Sequence, residues 1–506
     1  MRERITFIQK LGDSINPAEV KIDRNVIKAP EVQAVREDRL TIALDELPSE
    51  LQSLLNGLHE LHIRWVSPIA YEAVSPLLAR LPPGFHVFFT PGNEIKETST
   101  KPCEALAKVF GPQISCHTPK DSFTSLPSDR FSHSAAFQYF QPLDTITPFI
   151  QYAQSQLCPL DDKSCKDRLS TISSANTLDI SYDTISHTLR ITATWPYQRQ
   201  KIHATSRPNS RTEVGILSGD KPKTLEPHEL GISGLLSVLD QDTKPSVTMF
   251  TFPSRHRDAE SFFSARFLSP TGLHPTLQLS LSSSRPPTSG SCTPHAYLTL
   301  QNTIFPDKYQ LYDPLFLASK NLTSLRYASS PIDLEAPDYV LKSWGSTILL
   351  ELSPPSESAT ASASESGQPW TAEIPLHLRY LAPSYTGYSS IRVPYPAVFW
   401  ACNAEEGTKF PTNPFEKVNL GYDGLFGPRT VFWHVEPRPS AGGKELINKV
   451  RVPVLDLAKA DWVNLGTAAA VLLGFLWVVW KLVGAVFGGN RGTNVEKELE
   501  GEKKRQ

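Results

Sequence analysis

The chain has 506 residues and carries none of the short motifs that mark common enzyme chemistry. There is no C-x-x-C, no G-x-S-x-G nucleophile turn, no phosphate-binding P-loop and no G-x-G-x-x-G. A formal net charge of -2 offers no electrostatic footprint for nucleic acid, and no basic patch with interleaved aromatics occurs. The first 30 residues, MRERITFIQKLGDSINPAEVKIDRNVIKAP, carry charges throughout. They contain no apolar h-region, so they do not read as a cleavable secretory signal. Cysteine is sparse: Cys103, Cys116, Cys158, Cys165, Cys292 and Cys402 make an even set compatible with disulfides. Six in a chain this long is ordinary usage and does not fix the compartment, although Cys158 and Cys165 are the nearest pair.

Long apolar runs are absent until the end, where VNLGTAAAVLLGFLWVVWKLVGAVF (463–487) supplies roughly 25 residues, or about 37 Å of helix. That length crosses a bilayer core. Lys481 near one end can snorkel, and Trp462, Trp477 and Trp480 can serve as interfacial anchors. A single-pass protein follows, with some 460 residues on one side. Flanking charge barely decides which side. Arg491, Lys497, Lys503, Lys504 and Arg505 follow the helix, while Lys444, Lys449, Arg451 and Lys459 precede it. Two local signals favour a lumenal body and a cytosolic tail (488–506). Asn321-Leu322-Thr323 is the one N-glycosylation sequon. The final Lys503-Lys504-Arg505-Gln506 resembles a dilysine retrieval signal of the endoplasmic reticulum; a basic tail gripping acidic lipid is the alternative. The rival topology is a tail-anchored protein with a cytosolic body, which the missing leader supports.

With 43 prolines and few helical periodicities, the large region reads as mainly β, sandwich-like, with strands joined by Pro/Ser-rich turns. The clearest strands are Leu277–Leu281, Tyr297–Leu300, Ser346–Leu352, Ile374–Leu381, Ser390–Val393, Val398–Cys402 and Thr430–Val435. One amphipathic helix is expected over Pro48–His62, giving a minor α/β part toward the N-terminus. Ser353–Pro369 is low-complexity and reads as a disordered insertion. A boundary near residue 245 separates an N-terminal β-rich domain (1–245) from a second sandwich (246–460).

Candidate chemistry is thin. Asp240-Gln241-Asp242 has the acidic-x-acidic pattern with which many glycosyltransferases hold a divalent metal, but a solvated loop is the better reading, with Thr, Lys and Pro immediately following. His59 and His62 share one side of the expected helix, without a third ligand. No cofactor or metal site is therefore assigned. Gly466, Ala470 and Gly474 recur every four residues on one side of the apolar helix, where a second membrane helix could approach closely. An accessory subunit or chaperone fits these features better than an enzyme.

The stretch LHLRYLAPSYTGYSSIRVPYPAVFWAC (376–402) resembles the signature of the PIG-X/Pbn family, through His377, Leu378, Arg379, Tyr380, Pro383, Tyr388, Pro394, Pro396, Phe399, Trp400 and Cys402. Segments similar to the fungal branch follow the same order: 304–313 (IFPDKYQLYD), 333–352, 420–435 (LGYDGLFGPRTVFWHV) and 450–456. The resemblance implies an endoplasmic-reticulum membrane glycoprotein that is the non-catalytic, stabilising subunit of glycosylphosphatidylinositol mannosyltransferase I. Its partner would be the multi-spanning PIG-M type enzyme, which adds the first mannose from dolichol-phosphate-mannose. The fungal branch is also associated with folding and processing of other lumenal and vacuolar proteins, which makes a general chaperone the alternative. Fungal members are likewise large lumenal proteins without an obvious cleaved signal. Within the signature, strand alternation places Arg379 on a polar face, free to ion-pair with the partner or within its own domain, and Tyr380 on the opposite one. Pro394 and Pro396 mark an edge or bend. Of Phe399 and Trp400, one is expected in the core and the other as a possible interface anchor.

Overall fold

The computed structural model describes residues 1–92, 96–127, 135–158, 161–206, 210–226, 228–329, 333–355, 369–411, 413–440 and 442–488. Residues 356–368 of the expected insertion loop lie outside this set, as does the tail with Lys503 and Lys504. Two compact units emerge. One is Met1–Tyr380 with Ile391–Val450; the other is Leu381–Ser390 with the chain from Arg451 onward.

The larger unit is built on two sheets. The first has eleven strands in the spatial order Ser246–Pro253, Glu229–Val238, Arg211–Asp220, Arg2–Gln9, Val32–Ala43, Thr188–Gln200, Thr177–Asp183, Leu58–Val66, Gly84–Pro91, Phe137–Gln141 and Thr124–Ser125. The second has eight, in the order Leu322–Ala328, Gly345–Leu352, Cys292–Gln301, Ala397–Asn403, Thr430–Pro437, His256–Phe267, Thr276–Leu281 and Trp370–Pro375. The change of sheet falls between Pro253 and His256. The mainly β class, the early helices and the single C-terminal apolar helix match the sequence reading.

Strand Gly84–Pro91 (GFHVFFTP) shows how the layers are specified. Its side chains alternate between faces because successive residues of a strand point to opposite sides. Phe85, Val87 and Phe89 face a helical layer, where they meet Leu106 and Phe110 of helix Lys101–Phe110 and Phe149 of helix Thr147–Gln156. Ring centroids are 4.6 Å apart for Phe85 and Phe110 and 5.4 Å for Phe110 and Phe149. Phe88 points the other way, into a cluster with Tyr297, Phe399, Tyr422 and Phe432 from the second half of the chain. A strand apolar on both faces must be covered on both, and each buried phenylalanine contributes about 1.5–3 kcal/mol. Two disulfides tie down the helical layer: Cys103–Cys116 and Cys158–Cys165.

The helix expected over Pro48–His62 stops early. It runs Ser49–Asn56, and from Leu58 the chain is strand to Val66. Leu51, Leu54, Leu55, Leu58 and Leu61 keep a three-to-four spacing that mimics a continuing helix, while Leu61, Ile63 and Trp65 already obey the strand period and pack on the helix side. His59 and His62 are therefore not on one helix face. His59 lies 3.1 Å from the Thr184 hydroxyl, whereas His62 is buried 2.8 Å from the Asn419 amide.

Between the sheets lies a charged layer. Asp179 is held by Lys417 at 2.6 Å and Arg64 at 3.5 Å, and Arg64 also donates to the Val418 carbonyl. Burial pushes the Asp179 carboxyl up, but Lys417 and Arg64 outweigh it and hold it below its ordinary range. Beside it Glu37 pairs with Arg4 at 2.9 Å and Arg39 at 3.4 Å, and Arg4 donates to the Pro414 carbonyl. The loop after strand Ala397–Asn403 is thus bolted to the first sheet at Pro414, Lys417, Val418 and Asn419. Removing one partner of such a buried pair costs about 3–5 kcal/mol. Further along that loop Gly421 has φ +83°, and a Cβ there would lie 2.2 Å from the Tyr297 hydroxyl, so no side chain is accommodated.

The eight-stranded sheet curls until its outer strands approach. The Glu373 N–H donates to the Lys320 carbonyl at 2.9 Å, the two side chains pair at 2.7 Å, and Asn321 Nδ2 donates to the Thr371 carbonyl at 2.8 Å. These contacts join the start of strand Leu322–Ala328 to strand Trp370–Pro375 and shield edges that would otherwise invite pairing. Cys292–Cys402 crosses between two adjacent central strands.

In the smaller unit, helix Ala460–Gly488 spans 29 residues, or about 43 Å, with apolar side chains exposed all round. A helix apolar on every face needs hydrocarbon or protein around it, and this one is long enough to cross a membrane.

Four histidines of the larger unit, His86, His256, His295 and His434, are buried as neutral imidazoles, His434 held well below its ordinary pKa by burial and by His256. Burial drives His86 down to about 4, His295 to about 4 and His256 to about 3. His256 Nδ1 lies 2.9 Å from His434 Nε2. Unfolding returns each to near 6.5, so the unfolded chain binds more protons and stability declines as pH falls from 6.5 toward 4. At pH 5 each histidine should cost about 2 kcal/mol relative to neutral pH. Thermal melts of the purified chain should therefore show a marked drop in Tm between pH 7 and pH 5. A flat profile would refute the neutral-histidine core.

Candidate interaction surfaces

Signature residues His377, Leu378, Arg379 and Tyr380 lie at one corner of the second sheet, just past its edge strand Trp370–Pro375. The strand expected over Ile374–Leu381 is divided: Trp370–Pro375 pairs with Thr276–Leu281, and His377–Leu378 pairs separately with Ile304–Phe305. Pro375 has no N–H to continue a ladder, and the chain changes partner just past it. Leu376 is fully buried. His377 stacks edge-on to His274 with Nδ1 atoms 3.0 Å apart, and its Nε2 is 3.2 Å from Gln310 Oε1. Burial and the neighbouring His274 lower its affinity for a proton.

Arg379 does not reach a polar surface. Only 7% exposed, it places its guanidinium 4.3 Å over the Phe305 ring and donates to the Ala336 carbonyl at 2.8 Å. Burial lowers its pKa, opposed by Asp333 and Asp338. It clamps residues 333–340 onto the Ile304–Phe305 ladder, so the family-like segments 304–313, 333–352 and 376–380 meet in space. Tyr380 is the exposed member of the pair, at 74%, while its carbonyl accepts from the Asp338 N–H. The alternation expected of 379 and 380 holds, but their exposures are the reverse of a charged outer face. Phe399 and Trp400 are both buried, because strand Ala397–Asn403 lies centrally between two neighbours; neither is free to anchor a partner. Pro394 closes strand Tyr388–Pro394, and the bend through Pro396 leads into that central strand. Pro383 is exposed in the smaller unit.

Asn321 has φ +55°, a conformation that asparagine tolerates, at the turn before strand Leu322–Ala328, and its side chain is solvent-exposed. Its Nδ2 gives one hydrogen to Thr371, and a glycosylated asparagine still keeps one N–H. The bond that closes the sheet is thus compatible with a glycan.

Asp240 and Asp242 do not converge as metal ligands. Asp240, at φ +66°, accepts from the hydroxyl of Ser206, 34 residues upstream, and Asp242 accepts from the Val238 N–H at 2.6 Å, so one ties the turn to a neighbouring segment and the other stabilises the turn itself. Among the described residues no group of three or more His, Cys, Asp or Glu is placed to hold a metal ion. An apolar cavity of about 80 Å³ lies between helices Ser49–Asn56 and Lys101–Phe110 and the first sheet. Tyr152 supplies the one side-chain hydroxyl of its lining, which has no carboxylate, imidazole or thiol.

On the membrane helix, a Cβ added at Gly466 or Gly474 would meet nothing within 4 Å. The face shared with Ala470 is therefore not packed against the described residues of this chain.

The sequence model of the PIG-X / PBN1 family matches residues 270–483, the stretch that holds seven of the eight strands of the second sheet, the signature corner and most of the membrane helix. Similarity extends further in fungal relatives. "Protein pbn1" of Neurospora crassa is 63% identical over 96% of each chain. "Protein PBN1" of Gibberella zeae is 45% identical over 99% of this chain and 100% of its own. "Protein PBN1" of Yarrowia lipolytica is 27% identical over the full length of both. With a relative this similar across both sheets and the helix, the chain belongs to the PIG-X / PBN1 family.

Proposed function

We propose that this protein is the non-catalytic, stabilising subunit of glycosylphosphatidylinositol mannosyltransferase I, acting on a PIG-M type catalytic partner in the endoplasmic-reticulum membrane. Membership of the PIG-X / PBN1 family carries the reading, since the resemblance implies that role. Other observations are consistent with it. The two candidate carboxylates are engaged by Ser206 and by the Val238 N–H, and the single-pass helix leaves its small-residue face unpacked against the described residues.

A lumenal body and a cytosolic tail follow from the same reading. All six cysteines are paired, an arrangement suited to an oxidising compartment rather than the cytosol. Asn321 is accessible for glycosylation there, and Lys503 and Lys504 would act as a retrieval signal from the other side. In native membranes the chain should carry one endoglycosidase-sensitive glycan that Asn321→Gln removes. If the wild-type chain is insensitive to the enzyme and its body is open to cytosolic protease, the orientation is the reverse.

The role itself is tested in membranes depleted of this protein and supplied with dolichol-phosphate-mannose and glucosaminyl-acyl-phosphatidylinositol. Mannose transfer should fall together with the amount of catalytic subunit. Normal transfer with many misfolded unrelated proteins would favour the general chaperone instead. Within that reading, Gly466, Ala470 and Gly474 form the contact in the bilayer. Gly474→Leu adds bulk where helices would approach and should reduce co-purification of the catalytic subunit, at a cost of about 1–2 kcal/mol. Unchanged recovery would remove that face from the interface.

A further inference from the structure

The smaller unit contains a loop that is continuous with the membrane span although it lies about seventy residues upstream in sequence. Residues 381–390 are bonded to the segment that enters the helix. The Ser384 N–H donates to the Leu455 carbonyl, the Leu457 N–H donates to the Ser384 carbonyl, and the Val454 N–H donates to the Gly387 carbonyl, each at 3.0 Å. Gly387 has φ +68°, the left-handed conformation that glycine adopts freely, and it packs against the Asp456 side chain. Asp456 in turn caps the start of the helical segment through the Ala458 N–H. Loop and helix start are therefore one element.

From this element large side chains project into open space. Tyr385 is 81% exposed, Tyr388 45%, Leu455 48% and Trp462 77%. Arg451 lies 3.7 Å over the Tyr388 ring. Trp462 marks the start of the apolar run, and the innermost of these bonds, from Leu457 to Ser384, lies five residues before it, roughly 8 Å along the helix axis, while those at Leu455 and Val454 lie farther out. The polar zone of a bilayer occupies about 5–8 Å on each side of the hydrocarbon. Tyr385, next to Ser384, thus falls at the depth where amphipathic rings are most stable, and Tyr388 with Arg451 over its ring lies on the water side of it.

We infer that the Leu381–Ser390 loop is a second membrane contact, a seat in which Tyr385 rests in the lipid headgroup zone on the side of the large body. The occupant is lipid rather than protein because the surface continues directly into the span, whose surroundings are the bilayer. A helix held at its axis alone is free to rotate and tilt. One held also at a loop to its side is not, so the seat would give the small-residue face a fixed heading. This inference depends on the membrane span and not on the mannosyltransferase reading.

All native cysteines are paired, so Tyr385→Cys in the full chain provides a unique thiol for a fluorophore. The labelled protein is placed alone in lipid nanodiscs whose lipids carry a nitroxide either near the headgroup or at mid-chain. The shallow nitroxide should quench at least about two-fold more strongly than the deep one, and aqueous iodide should quench weakly. Leu455→Cys, on the other strand of the seat, should give the same order and guards against a misfolded first variant. Free access of iodide with no lipid quenching at either position would overturn the inference. So would shielding that appears in native membranes and not in protein-free nanodiscs, because the loop would then meet a protein.

Discussion

Asp179 is the pin on which the larger unit turns. It lies on the face of the first sheet that water would reach if that sheet stood alone, and it is held below its ordinary pKa by Arg64 from the neighbouring strand and Lys417 from 238 residues later. Neither cation suffices by itself, since a buried carboxylate needs its charge and its lone pairs met together. The loop that delivers Lys417 also delivers Val418, Asn419 and Tyr422 to the same interface. Its closure therefore seals a polar layer and an aromatic cluster at once, and the two sheets become one cooperative body.

That arrangement decides what the body has left to offer. Both faces of strands such as Gly84–Pro91 and Ala397–Asn403 are consumed by the core, and the second sheet ties its two outer strands together at Lys320, Asn321 and Glu373. The signature corner is consumed as well: Arg379 and His377 hold segments of their own unit together. Residues that define the family by sequence are thus largely a scaffold. The surfaces available for other molecules are exposed rims such as Tyr380, the loop beside the membrane and the helix.

Much of this was legible in the sequence, and the exceptions share a cause. The central strands and the membrane helix were readable because period and length each admit one interpretation there. The helix expected to reach His62 ends at Asn56, because a three-to-four leucine spacing passes without interruption into a strand whose alternation begins with Leu61. Arg379 could be placed on an outer strand face only if that strand continued, and Pro375 ends its ladder. The charged layer at Asp179 left no local mark at all. Its partners are separated by hundreds of residues, and a lone Asp between strand residues is indistinguishable from a solvated one until the opposite sheet is in place.

A stabilising subunit needs no site of reaction, and its chemistry is that of linkage. A protein that binds the folded form of its partner and not the unfolded form lowers the unfolded population by RT ln(1 + [L]/Kd), which reaches about 2.7 kcal/mol when its concentration is a hundred times Kd. Confinement to a membrane raises the effective concentration, so modest contacts on a helix face suffice. Orientation then matters more than area. A small-residue face acts over close approach and is lost if the helix turns away, so a loop bonded to the helix start, with Gly387 at φ +68° in its turn, suits the proposed role. The covalent order of the chain serves the same end: a body whose own stability is settled by buried pairs and disulfides does not draw on the partner for its folding. The net effect of assembly is then available to the partner.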